Sequence, residues 1–338
     1  MSADKRLEAA FAHAPVLPLT PSSRYILFSD CHRGCGTNND NFLKNQNLYF
    51  AALQHYYNQG YTYIELGDGD ELWENRSFDA IKSIHNNTFW LLSRFHKEGR
   101  LVMLYGNHDI VKRNPRFARK GCSSYPCSTC REEELFPDMV FHSGVILKML
   151  SDTPDWHCPQ TNSCRAQSGL PAPDTADCRC PKPAAARTDA VLSRREIYLT
   201  HGHQADFFNS VLWRTSRFLV RYLWKPLESA GFLDPTSAAK NNTRKKKVER
   251  ILTDWADKNS CVLITGHTHR PMLDESVSYC NTGSCVHPRC VTCIEIRRLR
   301  ISLVKWTLAT HPDRSLYVAR EVLSGPFPLV QRCLINSE

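Results

Sequence analysis

Long apolar runs are missing from this sequence. No uninterrupted apolar stretch reaches the length that a transmembrane helix needs. Residues 1–18 contain no apolar run of signal-peptide length. We therefore expect neither a membrane-spanning helix nor a secreted chain, and the cytoplasm is the expected location. An internal repeat is missing as well, which argues against a repeat architecture.

Acidic residues are outnumbered by basic ones, and the formal net charge is +9. A basic protein favours anionic partners, but charge alone does not distinguish phosphorylated metabolites from nucleic acid or acidic lipid. Apolar residues make up 42% of the chain, so we expect a folded globular core. The length of 338 residues fits one large domain, or one domain with a substantial insert.

Cysteine is abundant, with 15 residues. Their number is odd and no secretory signal is found, so a disulfide framework is not expected. Residues 151–193 hold His157, Cys158, Cys164, Cys178 and Cys180, which are compatible with a structural zinc site, alone or together with the C-x4-C-x2-C pattern of residues 122–130. A similar pattern over residues 285–293 lies in a sequence that alternates like a strand, and there we expect cysteine to act as a small apolar residue.

Short apolar runs recur at wide intervals and have the length of buried strands. They are residues 25–28, 61–66, 101–105, 197–200 and 261–265. Residues 41–58 and 78–97 lie between them and have a helical period. Strands that alternate with helices predict an α/β core. Residues 291–304 and 317–322 look like strands without intervening helices, which predicts a mixed sheet or a second sheet.

Two segments interrupt this alternation. Residues 151–193 are rich in Pro, Ala, Ser and Cys and lack periodicity, which is typical of an inserted loop or small subdomain. Residues 206–256 are helical in pattern and carry several aromatic residues and the basic run 244–247. We expect most of these aromatic residues to pack against the core.

Polar side chains follow each of the five predicted strands. The motifs are Ser29-Asp30-Cys31-His32, Gly67-Asp68-Gly69-Asp70-Glu71, Gly106-Asn107-His108-Asp109, His201-Gly202-His203 and Gly266-His267-Thr268-His269. Ligands bind at the carboxyl ends of strands in α/β sheets, and Asp, His and Asn are common metal ligands. In an extended chain, residues two apart point to the same side, as we expect for Asp30 and His32 and for His267 and His269. About seven ligands suit two octahedral-like ions better than one tetrahedral ion.

The motif series SDCH, GDGDE, GNHD, HGH and GHTH resembles the calcineurin-like metallophosphoesterases, in the same order. The resemblance covers about residues 24–305 without the inserts. It implies a four-layer α/β sandwich of two mixed β-sheets flanked by helices. It further implies a metallophosphoesterase domain over residues 20–310, with the Cys-rich insert 151–193 and a helical cap over 206–256. Residues 311–338 would be a C-terminal extension of that domain.

The resemblance implies two divalent metal ions, of which Mn²⁺ is the first expectation and Fe or Zn the alternatives. One ion would be held by Asp30, His32 and His269, and the other by Asn107, His201 and His267. Asp68 would bridge the two, because a carboxylate offers two anionic oxygens to neighbouring cations. The nucleophile would be a metal-bridging hydroxide, without a covalent enzyme intermediate.

The resemblance also implies that His108 contacts the substrate phosphate and protonates the leaving oxygen, and that Asp109 orients its imidazole. Arg33, Arg270 and Glu71 are candidate substrate-binding residues. The two arginines are equally compatible with solvated side chains. Glu71, together with Asp70, is also compatible with a role behind the ligands. His203 is a candidate ligand or a support for its loop.

The form Gly67-Asp-Gly-Asp-Glu-Leu-Trp73 resembles the GDxxExW motif of the UDP-2,3-diacylglucosamine pyrophosphatase-like branch. In that branch a helical cap between the fourth and fifth motifs holds acyl chains, and residues 206–256 occupy the same interval. Residues 211–224 are accordingly compatible with an acyl site or with peripheral contact to a membrane surface. His108 departs from the branch, in which arginine is typical at this position.

The expected function is hydrolysis of a phosphate ester or pyrophosphate bond in an anionic phosphorylated small molecule or a lipid-linked substrate. A metal-dependent nuclease or nucleic-acid-binding phosphodiesterase is an alternative, for which the basic run 244–247 would contact nucleic acid. A non-catalytic scaffold with this fold is a second alternative. The sequence does not identify the exact substrate or the oligomeric state.

Overall fold

The computed structural model describes residues 1–37, 40–126, 132–149, 196–224, 242–276 and 278–329. Up to residue 149 the elements are, in order, α1 (Ala3–Phe11), β1 (Val16–Leu19), β2 (Arg24–Phe28), a 3₁₀ turn (Leu43–Asn45), α2 (Gln46–Asn58), β3 (Thr62–Leu66), α3 (Phe78–Ile84), α4 (Asn86–Lys97), β4 (Leu101–Leu104), a 3₁₀ turn (Ile110–Arg113), α5 (Pro115–Gly121), β5 (Ser124–Pro126), β6 (Glu132–Glu134), β7 (Phe141–His142) and β8 (Gly144–Met149). From residue 196 they are β9 (Glu196–Thr200), a 3₁₀ turn (His203–Ala205), α6 (Phe207–Ser210), α7 (Trp213–Leu219), a π-helical turn (Val220–Trp224), α8 (Asn242–Lys258), β10 (Val262–Thr265), β11 (Met272–Leu273), β12 (Tyr279–Asn281), β13 (Cys290–Arg297), β14 (Arg300–Thr310) and β15 (Leu316–Pro328).

The described strands form two mixed sheets and a small pair of β5 with β6. The larger sheet has seven strands in the order β15-β14-β13-β2-β3-β4-β7. Within it β2, β3, β4 and β7 are parallel, and β13 to β15 are antiparallel. The second sheet has six strands in the order β1-β8-β9-β10-β12-β11. The predicted mixed sheets, and each of the five predicted strands with polar ends, are confirmed.

The two sheets pack face to face through apolar side chains. Leu27, Ile64 and Leu104 of the larger sheet share one buried cluster with Leu199 and Ile264 of the smaller sheet. The strands are apolar along nearly their whole length because both of their faces are covered. This explains why the sequence shows short continuous apolar runs instead of alternation.

Helices cover both outer faces. Residues of α2 and α4, such as Leu53 and Phe89, pack on the larger sheet beside Phe28. Helices α1 and α8 cover the smaller sheet, where Leu7 and Leu252 lie in one buried cluster. Helix, sheet, sheet and helix follow one another, so the predicted four-layer sandwich is confirmed.

The single helical pattern over residues 78–97 forms two helices, α3 and α4, that meet at His85. His85 leaves the helical conformation with φ −104° and ψ 33°. Its ring is buried, and its Nε2 lies 3.0 Å from Oδ2 of Asp40. A contact with a residue far away in the chain therefore breaks a pattern that is helical by itself.

Both ends of the described chain belong to the sandwich. Strand β1 pairs with β8 and helix α1 packs beside it, so the folded unit begins before residue 20. Strand β15 pairs with β14 and continues the larger sheet to residue 328. The predicted extension 311–338 is thus part of the same sheet over its described part, while residues 330–338 lie outside the described residues.

The two predicted inserts have different outcomes. The Cys-rich insert 151–193 lies outside the described residues. Of the predicted cap, residues 206–224 are helical, whereas α8 is one of the outer helices on the smaller sheet. Phe218 and Tyr222 are 60% and 53% exposed, so the expectation that these aromatic residues pack against the core is wrong.

No described helix combines the length and the hydropathy that crossing a bilayer requires.

Candidate metal centre

The five motif loops meet at one edge of the sandwich. The backbone N–H groups of Asp30 and His32 donate to the carbonyls of Gly67 and Asp68, at 3.1 and 2.9 Å. The N–H of His267 donates to Oδ2 of Asp30 at 2.9 Å and thereby joins the loop after β10 to the loop after β2. The predicted convergence of the strand ends is confirmed.

One ligand group consists of Asp30, His32 and His269, whose ligand atoms all lie within 4.8 Å of one another. Nε2 of His269 is 3.2 Å from Oδ1 of Asp30, and Nε2 of His32 is 3.7 Å from the same oxygen. Three protein ligands around one point are the usual minimum of a metal position that also binds water.

A second group consists of Asp68, His201 and His267, again within 4.8 Å. Oδ1 of Asn107 lies 3.2 Å from Nε2 of His201 and belongs to the same group. Nδ1 of His201 donates to the carbonyl of Leu66 at 2.9 Å, which leaves Nε2 for a ligand.

Asp68 lies between the two groups. Its Oδ2 is 3.1 Å from Nε2 of His201 and 3.8 Å from Nε2 of His32. Its Oδ1 accepts the backbone N–H of His108 at 2.7 Å. The structure therefore brings together all seven residues predicted as ligands, with one carboxylate in reach of both groups.

Two buried atoms of this set lie near other polar atoms, at 3.2 and 3.6 Å, but make no hydrogen bond of good geometry with any described residue. They are Oδ1 of Asp30 and Nε2 of His267. An unpaired buried polar atom costs about 1–3 kcal/mol, and native proteins have few of them. A cation in each group would satisfy both atoms, so the residues present fit two metal ions.

The electrostatics of the pocket also favour cations. Burial lowers the pKa of His201, but the carboxylates of Asp68 and Asp30 outweigh burial and raise it to about 9. Burial by itself raises the pKa of Asp68, whereas His201 and His108 lower it. The carboxylates thus favour positive charge at His201. A divalent cation would supply that charge instead of a proton, because a ligating imidazole is neutral.

Five of the predicted ligands adopt the left-handed backbone conformation. The φ angles are 50° at Asp30, 48° at His32, 50° at Asp68, 70° at His267 and 57° at His269. This conformation costs a non-glycine residue on the order of 1–3 kcal/mol and is concentrated at functional sites. The expectation of an extended chain at Asp30/His32 and at His267/His269 is therefore wrong, although the side chains of both pairs do converge.

Gly106 leaves the space that Asp68 occupies. A Cβ at this position would lie 2.1 Å from Oδ1 of Asp68 and 2.6 Å from its backbone nitrogen. We expect Gly106→Ala to displace the Asp68 carboxylate and to lower the affinity for both metal ions by about 10- to 100-fold, as loss of a ligand's support does. Metal titration of the folded variant by calorimetry checks this. Gly99→Ala is the control for metal affinity: its left-handed φ of 66° strains the backbone, but a Cβ there meets nothing within 4 Å. Unchanged metal affinity in Gly106→Ala would contradict the expectation.

Ser29 and Thr282 support Asp30 and were not predicted from the sequence. The hydroxyl of Ser29 donates to Oδ2 of Asp30 and lies 2.6 Å from the hydroxyl of Thr282. This contact leaves Oδ1 of Asp30 for a metal ion. A serine next to an aspartate carries no signal in the sequence that separates it from a turn residue.

His108 lies at the mouth of the site. Its imidazole stacks on the indole of Trp73, with ring centroids 4.3 Å apart and an angle of 25° between the planes. Its Nδ1 faces the carboxylate of Glu71, at 2.8 Å from Oε1 and 2.7 Å from Oε2. Oε2 of Glu71 also lies 2.9 Å from Nδ1 of His32. Glu71 is buried against histidines, which agrees with a role behind the ligands, whereas its contact with substrate stays a prediction.

Asp109 does not contact His108. Its Oδ1 accepts the N–H of Gly106 at 2.7 Å, and its Oδ2 accepts from Lys112 Nζ at 2.7 Å and from the N–H of Gly69 at 3.2 Å. The prediction that Asp109 orients the imidazole is therefore wrong. Both oxygens of this carboxylate thus accept hydrogen bonds, from loop N–H groups and from a lysine that lies outside the motifs.

Arg33 does not face the site, so both the phosphate-binding and the solvated interpretation are wrong. Its side chain is fully buried and donates to Asp70 at 2.7 Å and to the two oxygens of Glu65 at 2.9 and 3.0 Å. Lys112 completes this buried ion network at 2.6 Å from Oδ2 of Asp70. Burial raises the pKa of Asp70, but Arg33 and Lys112 outweigh it and lower it to about 2. The carboxylates of Glu65, Asp70 and Asp109 lie close enough for a metal, yet these two cations occupy their oxygens.

Arg270 is half-exposed, with Nη1 3.1 Å from Oε2 of Glu249 in α8. Its contact with substrate stays a prediction. His203 is buried between the second ligand group and the following loop, and burial lowers its pKa. Its ring lies 5.4 Å from that of His201, outside both ligand groups, which agrees with a supporting role.

No described cysteine belongs to the ligand groups. Cys285 and Cys293 are fully buried in the core under the larger sheet, as expected for small apolar residues. Cys122 is buried in the same core, and burial raises its pKa to about 11. The other cysteines of the proposed zinc site lie outside the described residues, so that site stays a prediction.

The helical residues 206–224 reach the site from one side. Arg221 donates to the carbonyls of Leu72 and Trp73, both at 2.7 Å. Arg76 donates to the hydroxyl of Tyr222 at 2.6 Å. The segment thus holds the loop whose Trp73 stacks on His108.

No protein-family model matches the sequence, and a search of curated proteins finds no match. The function must therefore be inferred from the residues of the site and their geometry. The features that bear on it are two ligand groups, the carboxylate between them and a histidine at the mouth.

Proposed function

We propose that this protein is a dinuclear metal-dependent hydrolase of phosphate ester or pyrophosphate bonds, and a calcineurin-like metallophosphoesterase. The observation that carries the proposal is the position of Asp68, within 3.1–3.8 Å of an imidazole in each ligand group. A shared carboxylate is what a pair of ions about 3.5–4 Å apart requires. The ordered motifs of the sequence support the same class.

Two divalent cations in this site would acidify a water molecule and polarise the phosphoryl group. Asp30, His32 and His269 would hold one of them, and Asn107, His201 and His267 the other, with Asp68 shared. Oxygen and imidazole ligands suit Mn²⁺, Fe and Zn, of which we propose Mn²⁺.

His108 would protonate the leaving oxygen. Its Nδ1 is bonded to Glu71, so Nε2 is the nitrogen that remains for a substrate. The side chain is 22% exposed at the mouth, which gives a substrate access that the buried ligands lack. A proton delivered in place removes the need for an alkoxide leaving group and contributes about 10²–10⁴-fold to such reactions.

The proposed substrate is an anionic phosphorylated small molecule, including a lipid-linked one. The exposed apolar side chains of residues 207–223 lie on the segment that contacts the Trp73 loop, which is the observation that favours an amphiphilic substrate. A nucleotide-sugar pyrophosphate with and without acyl chains, assayed beside simple monoesters and diesters, separates these substrate classes.

We expect chelation by EDTA to abolish hydrolysis of a chromogenic aryl phosphate or phosphodiester, and added Mn²⁺ to restore it. Metal analysis of the active protein should give two ions per chain for this site. Activity that survives chelation would contradict the proposal.

In His108→Ala, kcat should fall about 10²–10⁴-fold while the metal content stays the same. His311→Ala is the matched control, because His311 is exposed and stacks on Tyr317 of β15.

A further inference from the structure

We propose that Glu71, and not Asp109, is the positioning residue of His108, and that the same carboxylate orients the metal ligand His32. The inference rests on the proposed function, since it assigns the roles of these histidines in that site. It makes one side chain the link between a metal position and the proton donor.

The hydrogen bonds have only one consistent direction. An ionised carboxylate can only accept, so the Nδ1 atoms of both histidines must donate to Glu71. Its Oε2 lies 2.9 Å from Nδ1 of His32 and 2.7 Å from Nδ1 of His108. With Nδ1 protonated in both rings, the two Nε2 atoms are left for a metal ion and for a substrate.

Nε2 of His32 faces the other metal-ligand candidates. It lies 3.7 Å from Oδ1 of Asp30, 3.8 Å from Oδ2 of Asp68 and 3.3 Å from Nε2 of His269. The tautomer that Glu71 imposes on His32 is therefore the one that metal binding needs. The rings of His32 and His108 are 4.7 Å apart and nearly perpendicular, with the carboxylate of Glu71 joining them.

Glu71 itself is firmly held. Its Oε1 accepts the N–H groups of Trp73 and Glu74, at 3.2 and 3.3 Å. Its backbone N–H donates to the carbonyl of Arg33 at 3.0 Å. The indole of Trp73, which follows in the same loop, covers the other side of the His108 ring. One short loop thus fixes the imidazole of His108 by a hydrogen bond and by a stacked ring.

Asp109 cannot take this role in the same arrangement. Both of its oxygens are used by Gly106, Gly69 and Lys112, and it is fully buried. To reach His108 it would have to leave Lys112 without one of its two carboxylate partners.

The variant Glu71→Gln tests whether the carboxylate accepts hydrogen bonds from both imidazoles. The amide of Glu71→Gln has one accepting oxygen and one donating nitrogen, so it cannot accept from two imidazoles without pairing donor with donor. In metal-free protein labelled with ¹⁵N-histidine, we expect hydrogen-bonded Nδ1–H resonances from His32 and His108 beside that of His201, and at least one of the first two should shift or disappear in Glu71→Gln. Glu275→Gln, an exposed position, is the control and should leave both unchanged. Unchanged resonances in Glu71→Gln would overturn the proposal.

The loaded enzyme gives a second readout. We expect Glu71→Gln to lower kcat for an alkyl ester, whose leaving oxygen needs a proton, about 10- to 100-fold more than kcat for an activated aryl ester. KM should change little, and the affinity for one of the two ions should fall. Asp109→Asn should keep the alkyl-to-aryl ratio of the wild type. An equal loss on both esters in Glu71→Gln, or the altered ratio in Asp109→Asn instead, would overturn the proposal.

A variant that fails to fold and a wrong proposed function would give different results. If Glu71→Gln does not fold, Glu71→Asp withdraws the carboxylate by one methylene and is expected to lose the same Nδ1–H resonance. If the wild type hydrolyses no phosphoester with any metal, the proposed function fails, while the resonances of the metal-free protein still decide the role of Glu71.

Discussion

Replacing Asp68 by alanine should remove both metal ions and lower kcat/KM by at least about 10³-fold. Oδ2 of Asp68 lies in reach of both ligand groups, so its loss affects two metal positions at once. Metal ions supply several kcal/mol of charge stabilisation in such reactions, and each 1.4 kcal/mol is a factor of ten in rate. Metal content and kcat/KM, measured on the same sample, check the result.

The control for Asp68→Ala is Asp254→Ala, which removes an exposed carboxylate from α8. It should keep two metal ions and the activity of the wild type. A variant Asp68→Ala that retains both ions and more than a tenth of the activity would contradict the shared position of this carboxylate.

Replacing Lys112 by methionine should lower the free energy of unfolding by about 3–5 kcal/mol, the usual cost of breaking a buried ion pair. Nζ of Lys112 lies 2.6 Å from Asp70 and 2.7 Å from Asp109, and all three residues are buried. Methionine has a similar volume, so packing changes little and the loss measures the two carboxylates left without this cation. Denaturant unfolding of the metal-free proteins checks the value.

Lys120→Met is the matched control, because Lys120 is exposed on the following helix α5. Surface substitutions of this kind stay within about 0.5 kcal/mol of the wild type. If Lys112→Met were equally mild, Asp70 and Asp109 would not depend on this cation, which would contradict its role in the buried ion network.

The position of the ligands could be predicted from the sequence because it follows from topology. Asp30, Asp68 and Asn107 come directly after β2, β3 and β4, which are parallel neighbours in one sheet. The carboxyl ends of such strands share an edge, so the residues that follow them must be close. His201 and His267 follow β9 and β10 in the facing sheet by the same rule.

The roles of the residues behind the ligands could not be predicted in this way. Whether Glu71 or Asp109 meets His108 depends on side-chain directions and on Lys112, which no motif includes. Asp109 and Lys112 are three residues apart, a spacing that favours an ion pair, but nothing in the sequence indicates that both are buried. The break between α3 and α4 at His85 likewise depends on Asp40, 45 residues earlier.

The left-handed backbone conformation at five ligand positions bears on the alternative that this protein is a non-catalytic scaffold. Glycine adopts such angles without the steric cost that histidine and aspartate incur. In a chain that did not need metals, glycine at Asp30 or His267 would relieve this backbone cost, so we expect such a chain to tolerate the exchange. All five positions instead carry a histidine or an aspartate, which is the pattern we expect where backbone strain is retained for metal binding.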